Sequence, residues 1–201
     1  GAFIFLQFWG IIGLFNQSRR TMFTQIKELY ASLGVDVELA LTAMAKTPIS
    51  LHCWQGDDVV GFETGAGALG SGLAVTGNYP GKARSIDELR QDLEQVLSLL
   101  PGTHRLNLHA IYGDFGGEKV DRDAIELKHF QGWIDWAKQQ GIGMDFNPSN
   151  FSHPLANDGL TLSSPDKGKR EFWIAHCQRS RKIAAAIGEQ LGSAAVTNVW
   201  I

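Results

Sequence analysis

Cysteine is scarce in this chain, runs of lysine or arginine are missing, and no apolar stretch reaches membrane length. Each absence excludes something. Cys53 and Cys177 fall in neither CxxC nor CxH spacing. Two thiols cannot staple a domain of 201 residues, so a reducing compartment and buried, inert thiols are expected. Lys and Arg together number 18 against 21 for Asp and Glu, a net charge of -3 with no basic cluster. That balance gives no footprint for a polyanion, which argues against nucleic acid and acidic membrane surfaces as partners. The apolar run FIFLQFWGIIGLF (3–15) is shorter than the roughly 20 residues that cross a bilayer. Its positive charges, Arg19 and Arg20, follow rather than precede it, and no A-x-A cleavage pattern comes after, so it does not read as a secretory signal.

What is present is the composition of a soluble globular protein, 44% hydrophobic and 19% charged, long enough for one sizeable core. Met22 opens an amphipathic pattern interrupted at Gly34. Residues 1–21 are read as upstream or non-native sequence, with a membrane-facing extension as the rival reading, and 22–48 as N-terminal helices. From 49 onward, strand patterns alternate with helical ones. The strands are 49–55, 104–112, 141–147 and 194–201. The helices are 85–100, opened by the capping box Ser85 to Glu88, about 123–140, and one starting near Pro165 with Ile174, Cys177, Ile183, Ala184, Ile187 and Leu191 on its apolar side. Strand and helix in alternation predict parallel strands joined by crossovers.

The two-residue period of each strand separates an apolar side from a polar or aromatic one. Cys53 falls with Ile49 and Leu51, whereas Ser50, His52 and Trp54 face the other way. Leu106, Leu108 and Ala110 oppose Arg105, Asn107 and His109, and Ile142, Met144 and Phe146 oppose Asp145 and Asn147. Thr197, Val199 and Ile201 oppose Asn198 and Trp200. Open doubly wound sheets bury both faces and have strands apolar throughout. Unlike faces fit a (β/α)8 TIM barrel, whose sites form at the carboxyl ends of the strands. Residues 49–201 are therefore read as the first four strands of such a barrel, truncated.

His52 and Cys53 are neighbours on a strand and point to opposite faces, so they cannot share a metal ion. His52 is expected as a hydrogen-bonded core imidazole, and Asp57 and Asp58 as loop residues. GAGALG (65–70) matches G-x-G-x-x-G, but a glycine-rich stretch follows where a helix is required, so a dinucleotide site is rejected and 56–84 is read as a long lid-like loop. Trp54, His109, Phe151 and Trp200 are placed on one rim. Flat apolar rings beside an imidazole suit a sugar, which offers C–H patches to the rings and hydroxyls to the polar group.

HCWQGDDV (52–59), TGNYPGKAR (76–84), RLNLHAIY (105–112), DFNPSNFSHPLANDGLTLS (145–163) and FWIAHCQRSRKIAAAIGEQLG (172–192) resemble the L-rhamnose isomerase family, from about Met22 to Ile201. NFSHP, DG and GSAAVTNVWI are similar to segments of xylose isomerase, itself a (β/α)8 barrel. The resemblance implies a manganese-dependent aldose–ketose isomerase that converts L-rhamnose to L-rhamnulose in the bacterial cytoplasm as a homotetramer. The implied chemistry is ring opening, then a hydride shift between C1 and C2 with metal ions polarising the sugar oxygens. It implies His109 as a catalytic histidine near the ring oxygen, Trp54 and Trp200 as rim tryptophans, and Phe151 as a pocket wall. The family's metal ligands lie on later strands, so no metal ligand is expected in this chain, Mn2+ is expected only in the complete protein, and the fragment alone is expected to be inactive, with open sheet edges that favour association. Two other readings stay open: a sugar isomerase or epimerase of the same barrel family, and a non-catalytic carbohydrate-binding barrel.

Overall fold

The computed structural model describes residues 20–56, 60–63 and 79–199. The chain divides into two compact units, 1–47 and 48–201. In the first, helix α1 covers 20–32 and helix α2 covers Val37–Ala45. The break between them is the one anticipated at Gly34, which adopts φ +80°, a left-handed conformation that glycine takes without a Cβ penalty. Asp36 then caps α2 by accepting the Leu39 N–H, and the Lys27 ammonium meets Glu38 at 2.6 Å. None of the described helices is long and apolar enough to cross a membrane.

The second unit is built on three parallel strands, β1 (Ile49–His52), β2 (His104–His109) and β3 (Gly143–Asn147), in the order β1-β2-β3. Leu51 pairs with Leu106 and Leu106 with Met144; His52 pairs with Asn107, and Asn107 with Asp145. Apolar rows and polar rows therefore line up across the sheet, as the alternation predicts. Helix α3 (Ile86–Leu99) starts at Ser85, whose hydroxyl accepts the Glu88 N–H, while the Glu88 carboxylate reaches back to the Arg84 N–H. Of its apolar stripe, Leu89 and Leu93 are buried, whereas Val96 and Leu100 are exposed. Helix α4 (Gln131–Gln140) ends at Gly141 with φ +67°, and α5 (Lys167–Leu191) is capped by Asp166. The core gathers Cys53, Leu106, Leu108, Phe130, Trp133, Ile134, Met144, Phe146 and Ile187.

Several expectations need correction. The second helix does not start at 123: 3-10 turns occupy Arg122–Ala124 and Leu127–Phe130, and the α-helix begins only at Gln131. Strands one and two are shorter than predicted, β2 passing into a 3-10 turn at Ala110–Tyr112. Residues 194–199 form no strand. The chain does run beside β3, since Phe146 donates its N–H to the Val196 carbonyl at 3.0 Å. The amides of Val196 and Asn198, however, donate to the side chains of Asp145 and Asn147, each at 2.9 Å, and side-chain oxygens thus stand where a ladder would use carbonyls. Cys53 is buried as expected, but Cys177 is half-exposed and shares sulfur contacts with Asn150, and Ile174 is exposed. Among the described residues the sheet has three strands and does not close into a barrel.

Candidate functional site

The polar face of the sheet closes on itself through amide side chains. Asn147 has its orientation set by a backbone group, because its Oδ1 accepts the Asn198 N–H. Its Nδ2 must then donate, and it does so to Asn107 Oδ1 at 2.7 Å and to His109 Nε2 at 3.2 Å. Asn107 passes the direction on, its Nδ2 standing 3.3 Å from His52 Nε2. His109 Nε2 is therefore an acceptor, which leaves the proton on Nδ1, 3.5 Å from the Ser149 hydroxyl. Burial, followed by the neighbouring His52, Arg122 and His176, lowers the His109 pKa to about 3. A neutral imidazole of this kind can hydrogen-bond a sugar oxygen, but it holds no imidazolium proton to give at neutral pH.

Three of the four rim residues come together. The Trp54 and His109 rings lie 4.3 Å apart, Trp54 and Phe151 5.7 Å, and His109 and Phe151 5.9 Å. Each stands at or just past the carboxyl end of its strand. Trp200 lies outside the described residues, as do Asp57, Asp58 and the GAGALG stretch. His52 is not the core imidazole expected. It is exposed on β1, although it bonds Asn107 and stacks on Trp54 at 6.3 Å.

Asp145, also on this face, is saturated. Burial would raise its pKa, but hydrogen bonds from Arg105, Ser50 and the Val196 N–H outweigh it and hold the carboxyl below its ordinary value. Arg105 reaches its two oxygens at 3.1 and 2.8 Å, and Ser50 donates at 2.5 Å. This carboxylate is a structural anchor. Among the described residues no group of three His, Cys, Asp or Glu side chains is placed to hold a metal ion. The described residues thus offer manganese no binding set of this kind.

Behind Phe151 stands a group that residue spacing did not reveal. The Arg122 side chain is 1% exposed, and its guanidinium binds both carboxylate oxygens of Glu63, at 3.0 and 2.9 Å. It also donates to the carbonyls of Ser149, Phe151 and Ser152. His176 braces the same loop: its Nε2 accepts the Ser149 N–H, so its Nδ1–H donates to the Arg122 carbonyl, both at 2.9 Å. Burial lowers its pKa to about 3 despite that carbonyl's opposing pull. Arg122, Glu63 and His176 come from two loops and a helix, and no periodicity connects them.

A parallel α/β unit with rings and an imidazole gathered at its strand ends belongs to the class of proteins that place ligand sites beyond the carboxyl edge of the sheet. Within that class the particular family is shown by sequence. Residues 17–201 match the family model described as L-rhamnose isomerase (RhaA). The chain is 60% identical over 179 residues to the L-rhamnose isomerase of Rhodopirellula baltica, covering 89% of this chain and 42% of that protein. It is 55% identical to that of Citrobacter koseri and 56% to that of Klebsiella pneumoniae, in each case over 87% of this chain and 42% of the relative. The chain belongs to the L-rhamnose isomerase family, and it spans about two fifths of the length of the curated relatives it matches.

Proposed function

We propose that this chain is the N-terminal part of an enzyme that converts L-rhamnose to L-rhamnulose in the cytoplasm, and that it supplies the first strands of a (β/α)8 barrel and one wall of the sugar pocket. The observation that carries this reading is the meeting of Trp54, His109 and Phe151 at the strand ends, in a chain 60% identical to a named L-rhamnose isomerase. Trp54 and Phe151 offer faces to the C–H side of the sugar, and Trp200 is assigned to the same wall. His109, fixed by Asn147, offers a neutral imidazole to a sugar oxygen. Bound Mn2+ would supply Lewis-acid polarisation of the sugar oxygens during the hydride shift. Its ligands are assigned to the remainder of the protein, as is the homotetrameric assembly, so the 201 residues alone are expected to be inactive.

The test is isomerisation of L-rhamnose and a panel of other aldoses by the full-length protein, with and without Mn2+, read as ketose formed. Turnover of L-rhamnose that requires the metal and falls at least about tenfold in kcat/KM in Trp54→Ala is the expected result. A full-length protein that isomerises another aldose and leaves L-rhamnose untouched refutes the substrate assignment.

A further inference from the structure

Three loops that leave the strand ends meet on one side chain. The loop after β1 is held along 60–63: the Phe62 N–H donates to the Ile111 carbonyl at 2.8 Å, the Phe62 ring sits edge-on to Tyr112 at 5.5 Å, and Glu63 ends on Arg122. Gly61 makes this approach possible. It has φ +59°, and a Cβ there would collide with the Ile111 carbonyl. The loop after β2 supplies Arg122 itself, and the loop after β3 supplies the three carbonyls of Ser149, Phe151 and Ser152. Ser152 is held with φ +51°, an unfavourable conformation for a residue other than glycine; its hydroxyl is buried without a partner while its carbonyl faces the guanidinium. The Arg122 guanidinium also lies 5.9 Å from the Phe151 and Trp173 rings. A planar fork with five donors can serve two carboxylate oxygens and several carbonyls at once, which an ammonium cannot.

We infer that Arg122 is a positioning residue: it fixes the Phe151 wall of the pocket and, through Glu63, locks segment 60–63 to that wall so that the two move as one body. The inference rests on the sugar-pocket reading above for its effect on substrate, but the mechanical coupling stands apart from it. Without Glu63 the buried guanidinium loses its counter-charge, and without the fork the three carbonyls lose their common donor. Either change frees Phe151 from its place beside Trp54 and His109. Substrate binding is then weakened before any chemistry is touched.

Two variants of the full-length protein test it. Glu63→Gln preserves the side chain's shape and removes its charge; Arg122→Lys preserves the charge and removes the fork. Each is expected to raise KM for L-rhamnose by about tenfold with kcat changed no more than about twofold, the larger effect falling on Arg122→Lys. Amide hydrogen exchange is expected to quicken together at 60–63 and 149–152 in both variants. A purely structural role would lower stability while leaving KM and kcat of the folded protein unchanged, so unchanged KM in folded Glu63→Gln overturns the inference. So does protection at 149–152 that persists while 60–63 opens. If Arg122→Lys does not fold, Glu63→Gln decides. If the wild-type protein does not turn over L-rhamnose, the substrate reading fails, and the exchange result still decides the coupling.

Discussion

On one face of the sheet Leu106, Leu108, Met144 and Phe146 are at most 2% exposed; on the other, Asn107, His109, Asp145 and Asn147 are at most 4% exposed. Burial is nearly equal, but its physics is not. The apolar face is held by area and close packing, and the hydrophobic term acts without direction. The polar face is held by donors matched to acceptors, so each group there has one orientation that works and others that leave a buried atom unpaired. The first face makes the fold stable. The second makes the position of the His109 ring unique, and that is what a binding site needs.

Substitutions can break this contrast in graded fashion. Phe146→Ala, on the apolar face against the Phe130 ring at 4.7 Å, is expected to cost about 3–5 kcal/mol by chemical denaturation, through lost transfer energy and a residual cavity. Asn147→Leu, similar in volume on the polar face, is expected to cost about 1–3 kcal/mol, because it strands the Asn198 N–H, the Asn107 oxygen and His109 Nε2 together. A neutral or stabilising result for Asn147→Leu would show that the amide chain fixes orientation without adding stability.

Acid sharpens the same comparison. His109 and His176 are neutral in the folded protein, with pKa values lowered to about 3 from 6.5. Between those values the unfolded chain binds protons that the folded chain refuses. Stability is therefore complete above about pH 6.5 and declines as the pH falls, with a slope approaching about 1.4 kcal/mol per pH unit for each imidazole. Denaturation midpoints between pH 7 and 4 should follow that slope in the wild type and flatten in His176→Gln. Smallest is Ser152→Gly, expected to stabilise by less than about 1 kcal/mol, as relief of the left-handed strain outweighs the added chain entropy of glycine. Thermal unfolding of that variant should shift upward by a few degrees at most.

The two faces were legible in the sequence because strand side chains alternate strictly, so a correct strand assignment carries both sets with it. Trp54 and His109 could be placed on one rim for that reason, whereas Phe151 lies four residues past β3, where strand alternation does not reach. Arg122, Glu63 and His176 could not, since a guanidinium in the loop after β2 meets carbonyls of another loop only through tertiary folding. The same limit explains the second helix. The stretch 123–130 has helical spacing, yet its residues are spent in 3-10 turns that bury Arg122, Phe130 and His129 before α4 begins. Strand four was misread over 194–199 because the Val196 and Asn198 amides donate to side chains of β3, and a one-dimensional pattern does not distinguish an oxygen on a side chain from one on a backbone.

That arrangement beside β3 acts as an alignment key. Asp145 and Asn147 offer oxygens two residues apart, and the amides of Val196 and Asn198 are two residues apart as well. A slip of one residue would set both oxygens against residues whose amides point away from β3, leaving each without an N–H donor. Parallel segments distant in sequence are slow to find their alignment. Here two side chains penalise a one-residue slip directly, through polar atoms rather than through apolar packing.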